Sequence, residues 1–237
     1  MDWKVETGKI LKRLLQILSH DEEVWVFASR LQKQNDFSLA RPLLLEGLRF
    51  HPKSLMLYRE YFMLELEFYQ KVQNDPELLN DVEAKEEVQN GKIIETVFLQ
   101  AIENCCQKLF TAELLGLAKP FHKLFKLLKE ALVDHHGDDQ DTWLVLANLE
   151  LHPSFMKDRS ATQKVDDAVG VMIRGLEKIP DAEHLDKCLN MLGEISESNP
   201  ELIDDCAKNV VKVLLEGQKL GILDDQKTAL LKEYSQK

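Results

Sequence analysis

No run of about 18 or more apolar residues occurs, so the sequence offers no membrane-spanning helix. The N-terminus, Met1-Asp2-Trp3-Lys4, lacks the charged-then-apolar layout of a signal peptide. Cysteine is scarce. Cys105, Cys106, Cys188 and Cys206 make no C-x-x-C pair and no framework spacing, and read as reduced thiols of a cytosolic or nuclear protein. Basic charge is in deficit, 30 Lys and Arg against 41 Asp and Glu, and a net charge of −11 argues against wrapping a nucleic-acid backbone. Protein partners are favoured instead. Catalytic patterns are missing too: no G-x-S-x-G, no Walker loop, no H-E-x-x-H and no G-x-G-x-x-G. The acidic, His-containing run Asp134–Asp141 has neither the register of a calcium loop nor the His spacing of a zinc site. The sequence gives no ground for an enzyme, a cofactor, a metal or a small-molecule substrate.

What the chain has in quantity is amphipathic helix. Hydrophobic residues make up 44% and charged residues 30%, enough for a continuous buried seam and for many solvated helix faces. Its ten Gly and seven Pro fall mostly at the ends of periodic runs, where they stop helices rather than turn strands. One segment organises the rest. Ala40-Arg41-Pro42-Leu43-Leu44-Leu45-Glu46-Gly47-Leu48-Arg49-Phe50-His51-Pro52 returns as Ala168-Val169-Gly170-Val171-Met172-Ile173-Arg174-Gly175-Leu176-Glu177-Lys178-Ile179-Pro180. Ala40, Gly47, Leu48 and Pro52 match Ala168, Gly175, Leu176 and Pro180, and Trp25 and Trp143 stand upstream of the two copies. Such self-similarity is the signature of an array of supersecondary units.

Weaker copies of this B-type helix are expected near 7–19, 94–106, 124–136 and 207–219. Ile10, Leu11 and Leu15, then Val97, Phe98 and Ile102, then Leu127, Leu128 and Leu132, then Val210, Val211 and Leu215 stand where Leu43, Leu44 and Leu48 do. Between them lie A-type helices at 22–33, 55–70 (with Tyr58 and Tyr61), 112–119, 141–151 and 182–196. Helix pairs of about 30–40 residues read as an all-α fold, an α-solenoid of tetratricopeptide-like units, about five to six of them. The array is expected to run unbroken over residues 1–237. Its first B helix has no A partner ahead of it, and 223–235 starts one more A helix, so it reads as cut at both ends.

Two stretches interrupt the period. Residues 71–92 form an acidic insert, with six acidic and two basic side chains between 71 and 87. It reads as a solvated, partly helical loop, with a docking arm for a basic partner as the alternative. Residues 152–164 read as an extended loop whose Lys157, Arg159 and Lys164 are the one local basic excess. Ser19 with Glu22, Ser38, and Asp141 or Thr142 are the expected helix caps. Gly47 and Gly175 sit inside helices, where Gly is unfavourable by about 1 kcal/mol relative to Ala, and so point to close helix approach. Trp25 is expected to pack on the neighbouring B helix, and the aromatic helix 55–70, flanked by Glu60, Glu65 and Glu67, to be core rather than a base-stacking platform.

An aromatic in the A helix followed by Ala-Arg…Gly-Leu…Pro in the B helix resembles the HAT (half-a-tetratricopeptide) repeat. The run Ala40–Pro52, then Leu57-Tyr58-Arg59-Glu60-Tyr61-Phe62-Met63-Leu64-Glu65-Leu66, is more specific. With Asp138-Asp139-Gln140-Asp141-Thr142-Trp143 and the Glu-rich insert, it is similar to the HAT-repeat subunits of the small-subunit processome associated with the U-three small nucleolar RNA. The resemblance covers nearly all of the chain, which looks like the middle portion of a longer family member. It implies a nucleolar, non-enzymatic protein–protein interaction scaffold in ribosome biogenesis that supports pre-18S rRNA processing. Partners implied are protein subunits of a pre-ribosomal complex, WD-repeat subunits among them, with the U-three particle met indirectly. The implied structural signature is Trp25, Ala40, Arg41, Gly47, Leu48, Pro52, Tyr58, Tyr61, Trp143, Ala168, Gly175, Leu176 and Pro180. Val169 departs from it where the first copy has Arg41, and His184 and Leu185 stand near the place of the missing aromatic in the fifth unit. The alternatives are a HAT scaffold of splicing or mRNA 3′-end cleavage, and a repeat protein that binds RNA directly through Arg and Lys of its loops.

Overall fold

The computed structural model describes residues 3–35, 37–79, 82–152 and 159–234, and every regular element among them is helical. In chain order these are α1 (Trp3–Ile17), α2 (Glu22–Asn35), α3 (Ala40–Phe50), α4 (Leu55–Asn74), α5 (Val82–Gln89), α6 (Lys92–Cys105) and α7 (Lys108–Ala118). Then follow α8 (His122–His136), α9 (Gln140–Leu151), α10 (Ala161–Lys178), α11 (Ala182–Ser198), α12 (Ile203–Lys219) and α13 (Asp225–Tyr234). The all-α expectation holds. The chain divides within α8 into two compact units, Met1–Leu128 and Lys129–Lys237.

In the first unit α2 packs along α3, and α4 lies against both and against α6 and α7. Its core is built from Leu44, Leu57, Phe62, Phe98, Leu114 and Leu115, all fully buried. In the second unit α9 pairs with α10 and α11 with α12, while α10 and α13 both pack on α12. Met172, Leu176, Leu185, Leu192, Val213 and Leu214 fill that core. The acidic insert holds a 3-10 turn at Pro76–Leu78 and then α5, whose Val88 is buried.

Helix starts follow local chemistry, not always at the expected residue. Asp21, not Ser19, serves α2: its carboxylate accepts from the Glu23 backbone N–H at 3.0 Å, because a cap must directly precede the first helical residue, Glu22. Ser38 lies within a 3-10 turn at Phe37–Leu39, and Leu39 precedes α3 with no side-chain cap. Asp139 caps α9, accepting from the Asp141 N–H at 2.9 Å, so neither Asp141 nor Thr142 is the cap. The expected loop 152–164 ends early. Ser160 and Gln163 exchange bonds of 3.2 and 3.0 Å in a capping box that starts α10 at Ala161. Residues 153–158 of that stretch lie outside the described residues.

Two amphipathic faces also differ from the periodic reading. Among the described side chains of α1, Leu11 and Leu15 are buried and Ile10 is exposed, as is Leu18 just past the helix. On α12 the buried positions are Cys206, Asn209, Val213, Leu214 and Gly217, and Leu215 is exposed. The buried stripe of α12 therefore runs through Cys206, Asn209, Val213 and Gly217 and not through Val210, Val211 and Leu215. What sets it is Gly217, which faces Leu185 of α11.

That contact belongs to a recurring arrangement. A Cβ placed on Gly47 would stand 3.0 Å from both Cβ and Cγ of Trp25. On Gly175 it would stand 2.7 and 2.8 Å from Cγ and Cβ of Trp143 and 2.9 Å from Cε1 of His184. On Gly217 it would stand 3.0 Å from Cδ2 of Leu185. At Gly47 and Gly175 the B helix presents a residue without a side chain to the tryptophan of an A helix, and at Gly217 to a leucine. Gly175→Ala is expected to destabilise the protein by about 1–2 kcal/mol net, the overpacking cost exceeding the gain in helix propensity. Gly170→Ala, with nothing within 4 Å of the new Cβ, should stabilise by up to about 1 kcal/mol. Urea midpoints of the two variants, moving in opposite directions from wild type, check this.

Candidate protein-interaction surface

The A helix α4 carries two buried carboxylates, and cations from α2 and α3 neutralise them. Arg30 donates to Glu60 at 2.6 Å. Arg41 closes a fork on Glu65, Nε and Nη2 donating at 2.6 and 2.7 Å to a side chain only 1% exposed. This bidentate bond raises the Arg41 pKa further. The guanidinium also lies 5.6 Å from the ring centroid of Phe68, which stacks on Phe37 at 5.5 Å, and Lys71 sits 4.4 Å from the Phe37 centroid. Arg41 is thus committed to joining α3 and α4. In the second unit Lys129 and Glu150 make a comparable pair at 2.8 Å.

Trp25 lines a groove of about 540 Å³ with Leu11, Leu15, Leu43 and Phe50 and with the polar Lys12, Gln16, Gln32 and Glu46. Its ring stacks on Phe50 at 5.6 Å, and its Nε1–H donates to the Ser19 carbonyl at 2.9 Å. The same carbonyl lies 3.0 Å from Nε2 of His51. One backbone oxygen therefore ties the α1–α2 turn to both α2 and the end of α3.

The second unit repeats the indole anchor: Trp143 Nε1–H donates to the Gly137 carbonyl at 2.9 Å. Beside it His184 is fully buried, with Nδ1 3.3 Å from the Ile179 carbonyl and Nε2 without a partner. Burial lowers its pKa, since a charged ring would bury an unsatisfied donor. Asp181, Asp141 and Lys187 are the charged groups around it. Gln140 joins Asp181 to Lys187, at 2.9 Å to each.

The other signature residues are mostly packing elements. Ala40, Ala168 and Leu176 are fully buried and Leu48 half-buried. The Tyr58 hydroxyl accepts from Asn104 at 2.9 Å, and Tyr61 lies beside the Arg41–Glu65 pair. Pro52 and Pro180 are exposed just past the ends of α3 and α10. The structure brings together Trp25 with Gly47, Trp143 with Gly175, and Arg41 with Tyr61. Among the described residues no three His, Cys, Asp or Glu side chains are grouped to hold a metal, and no helix is long and apolar enough to cross a membrane.

Basic charge is placed differently from the sequence expectation. Arg159 is ion-paired with Asp167, and Lys157 lies outside the described residues. A stronger basic run escaped that reading: between Glu113 and Glu130 there is no acidic residue, while Lys119, His122, Lys123, Lys126 and Lys129 are present. Counting charge in short windows, rather than over the whole chain, finds it.

The chain is 30% identical over 180 residues to the human U3 small nucleolar RNA-associated protein 6 homolog, covering 71% of this chain and 30% of the relative. The mouse protein of the same name is 30% identical over 160 residues, 62% of this chain and 27% of the relative. The similarity is to a segment of these U3 small nucleolar RNA-associated protein 6 homologs. It spans less than a third of their length. No protein-family model matches it.

Two outcomes follow from the buried charges. Arg41→Ala should cost about 2 kcal/mol, the buried-pair penalty being reduced by the partial exposure of Arg41, and Arg41→Leu with Glu65→Leu should recover most of it. For His184 the folded pKa lies below the unfolded value, so stability is complete above about pH 6.5 and falls as the pH drops through that value. His184→Leu should flatten the decline in urea midpoint between pH 7.5 and 5.5.

Proposed function

We propose that the protein is a non-enzymatic protein–protein interaction scaffold in ribosome biogenesis, a component of the small-subunit processome acting with the U3 particle on pre-18S rRNA in the nucleolus. The observation that carries this reading is the match of most of the chain to two relatives whose name associates them with U3 small nucleolar RNA. The recurring seat of Trp25 on Gly47 and Trp143 on Gly175 supports a HAT-type array, in which stacked helix pairs form an extended contact surface. Its signature residues build the helix pairs, and partners meet the outward faces. Those partners are protein subunits of the pre-ribosomal complex, WD-repeat subunits among them. The U3 particle is reached through them.

Affinity recovery of the tagged chain from nuclear extract, with and without RNase, tests this. Processome proteins should stay bound after RNase, with U3 RNA recovered only in the untreated sample. Recovery of splicing or 3′-end cleavage factors in their place would assign the scaffold to another machine. Loss of every protein partner on RNase treatment would overturn the scaffold reading.

A further inference from the structure

We propose that Ser19 is a phosphorylation site for an acidophilic serine/threonine protein kinase. The run Ser19-His20-Asp21-Glu22-Glu23 places carboxylates two, three and four residues after the hydroxyl. A kinase whose substrate groove carries Lys and Arg holds such carboxylates by charge-assisted hydrogen bonds. The pattern is selective within this chain. Of its nine Ser and six Thr, Ser19 and Ser198 alone have a carboxylate three residues on, and Ser198 has Asn199 and Pro200 in between.

The fold presents this segment at its surface. Ser19 lies half-buried in the turn between α1 and α2, and Gln16, Ile17 and Leu18 before it and His20, Asp21 and Glu23 after it are exposed. Its backbone carbonyl is engaged by Trp25 and His51, while its hydroxyl makes no hydrogen bond among the described residues. Folding accounts for the acids and not for the hydroxyl. Asp21 caps α2, and Glu22 and Glu23 suit the positive end of its dipole. In the second unit the carbonyl that Trp143 bonds belongs to Gly137, followed by Asp138, Asp139 and Asp141. The indole anchor and the acidic cap therefore work with no side chain at this position, and the Ser19 hydroxyl is left over for chemistry.

In the transfer, Oγ of Ser19 attacks the γ-phosphorus of ATP. The bond from that phosphorus to the β–γ bridging oxygen breaks, the hydroxyl proton passes to the kinase's catalytic carboxylate, and ADP leaves. Ser19 lines the groove beside Trp25, where Lys12 and Glu46 are the charged side chains among the described residues and cancel. A phosphate adds a charge of about −1.5 to −2 at neutral pH, so the modification turns a neutral groove acidic.

The inference does not rest on the scaffold reading. The test incubates the full chain with ATP and a purified acidophilic kinase, or a basophilic one, and maps the product by peptide mass spectrometry. The acidophilic kinase should add one phosphoryl group, on Ser19, and Ser19→Ala should remove it. Asp21→Asn with Glu22→Gln and Glu23→Gln keeps a capping side chain and should slow the transfer severalfold. In amide correlation spectra, shifts on phosphorylation should gather in the α1–α2 turn and around Lys12 and Glu46, leaving α9 to α13 unmoved. Modification of a synthetic peptide of residues 14–27 but not of the folded chain would overturn the proposal, because the turn would then withhold the hydroxyl. So would failure of both to be modified, preference for Ser198 over Ser19, or equal transfer by the basophilic kinase.

Discussion

The whole arrangement depends on a large side chain lying where its neighbour has none. Trp25 over Gly47 and Trp143 over Gly175 bring an A helix and a B helix so close that a single methyl group would overlap the indole. Such a glycine costs its helix about 1 kcal/mol in propensity, and the indole surface buried against it returns more. The contact also reaches beyond the pair. Each indole N–H bonds the carbonyl six residues upstream, Ser19 or Gly137, so the ring that seats the B helix also fixes the turn before its own helix. A buried indole donor is satisfied, and the entry angle of the chain is set by the same side chain.

Charge plays a second, less regular part. Glu60 and Glu65 would be costly inside the first unit if left alone, and Arg30 and Arg41 reach them from neighbouring helices. In the second copy Val169 replaces Arg41 and is itself buried, while Glu150 is matched by Lys129. The ion pairs are therefore local solutions, while the glycine seat recurs in α3, α10 and α12. Where the aromatic is missing, Leu185 takes its place over Gly217 and His184 fills the space beside Gly175. A smaller apolar side chain suffices for the seat, provided the glycine stays.

The features legible in the sequence are those that periodicity and repetition encode. Alternating helices, the close approach at Gly47 and Gly175, and the packing of Trp25 all follow from the matched segments. Boundaries were less legible because they depend on one hydrogen bond: Asp139 and the Ser160–Gln163 box displaced the expected starts of α9 and α10, while α2 starts at Glu22 as expected but with Asp21 in place of Ser19 as its cap. The register of α12 could not be read from apolar residues, since Val210, Val211, Val213, Leu214 and Leu215 offer several equivalent stripes. Only the partner of Gly217 selects one. The basic run between Glu113 and Glu130 was hidden for another reason. A charge sum over 237 residues averages away a run this short.

This division explains why resemblance carries the fold further than it carries partners. A ring over a glycine constrains two positions tightly, so the pattern remains visible in both copies within one chain. Solvated faces carry no such constraint and differ between the two copies: Glu46 is Arg174 and Arg49 is Glu177. Charge reversal at these two positions leaves the helix pair unchanged while inverting what an approaching partner meets. Selectivity in a protein of this kind therefore resides in residues that no repeat consensus contains.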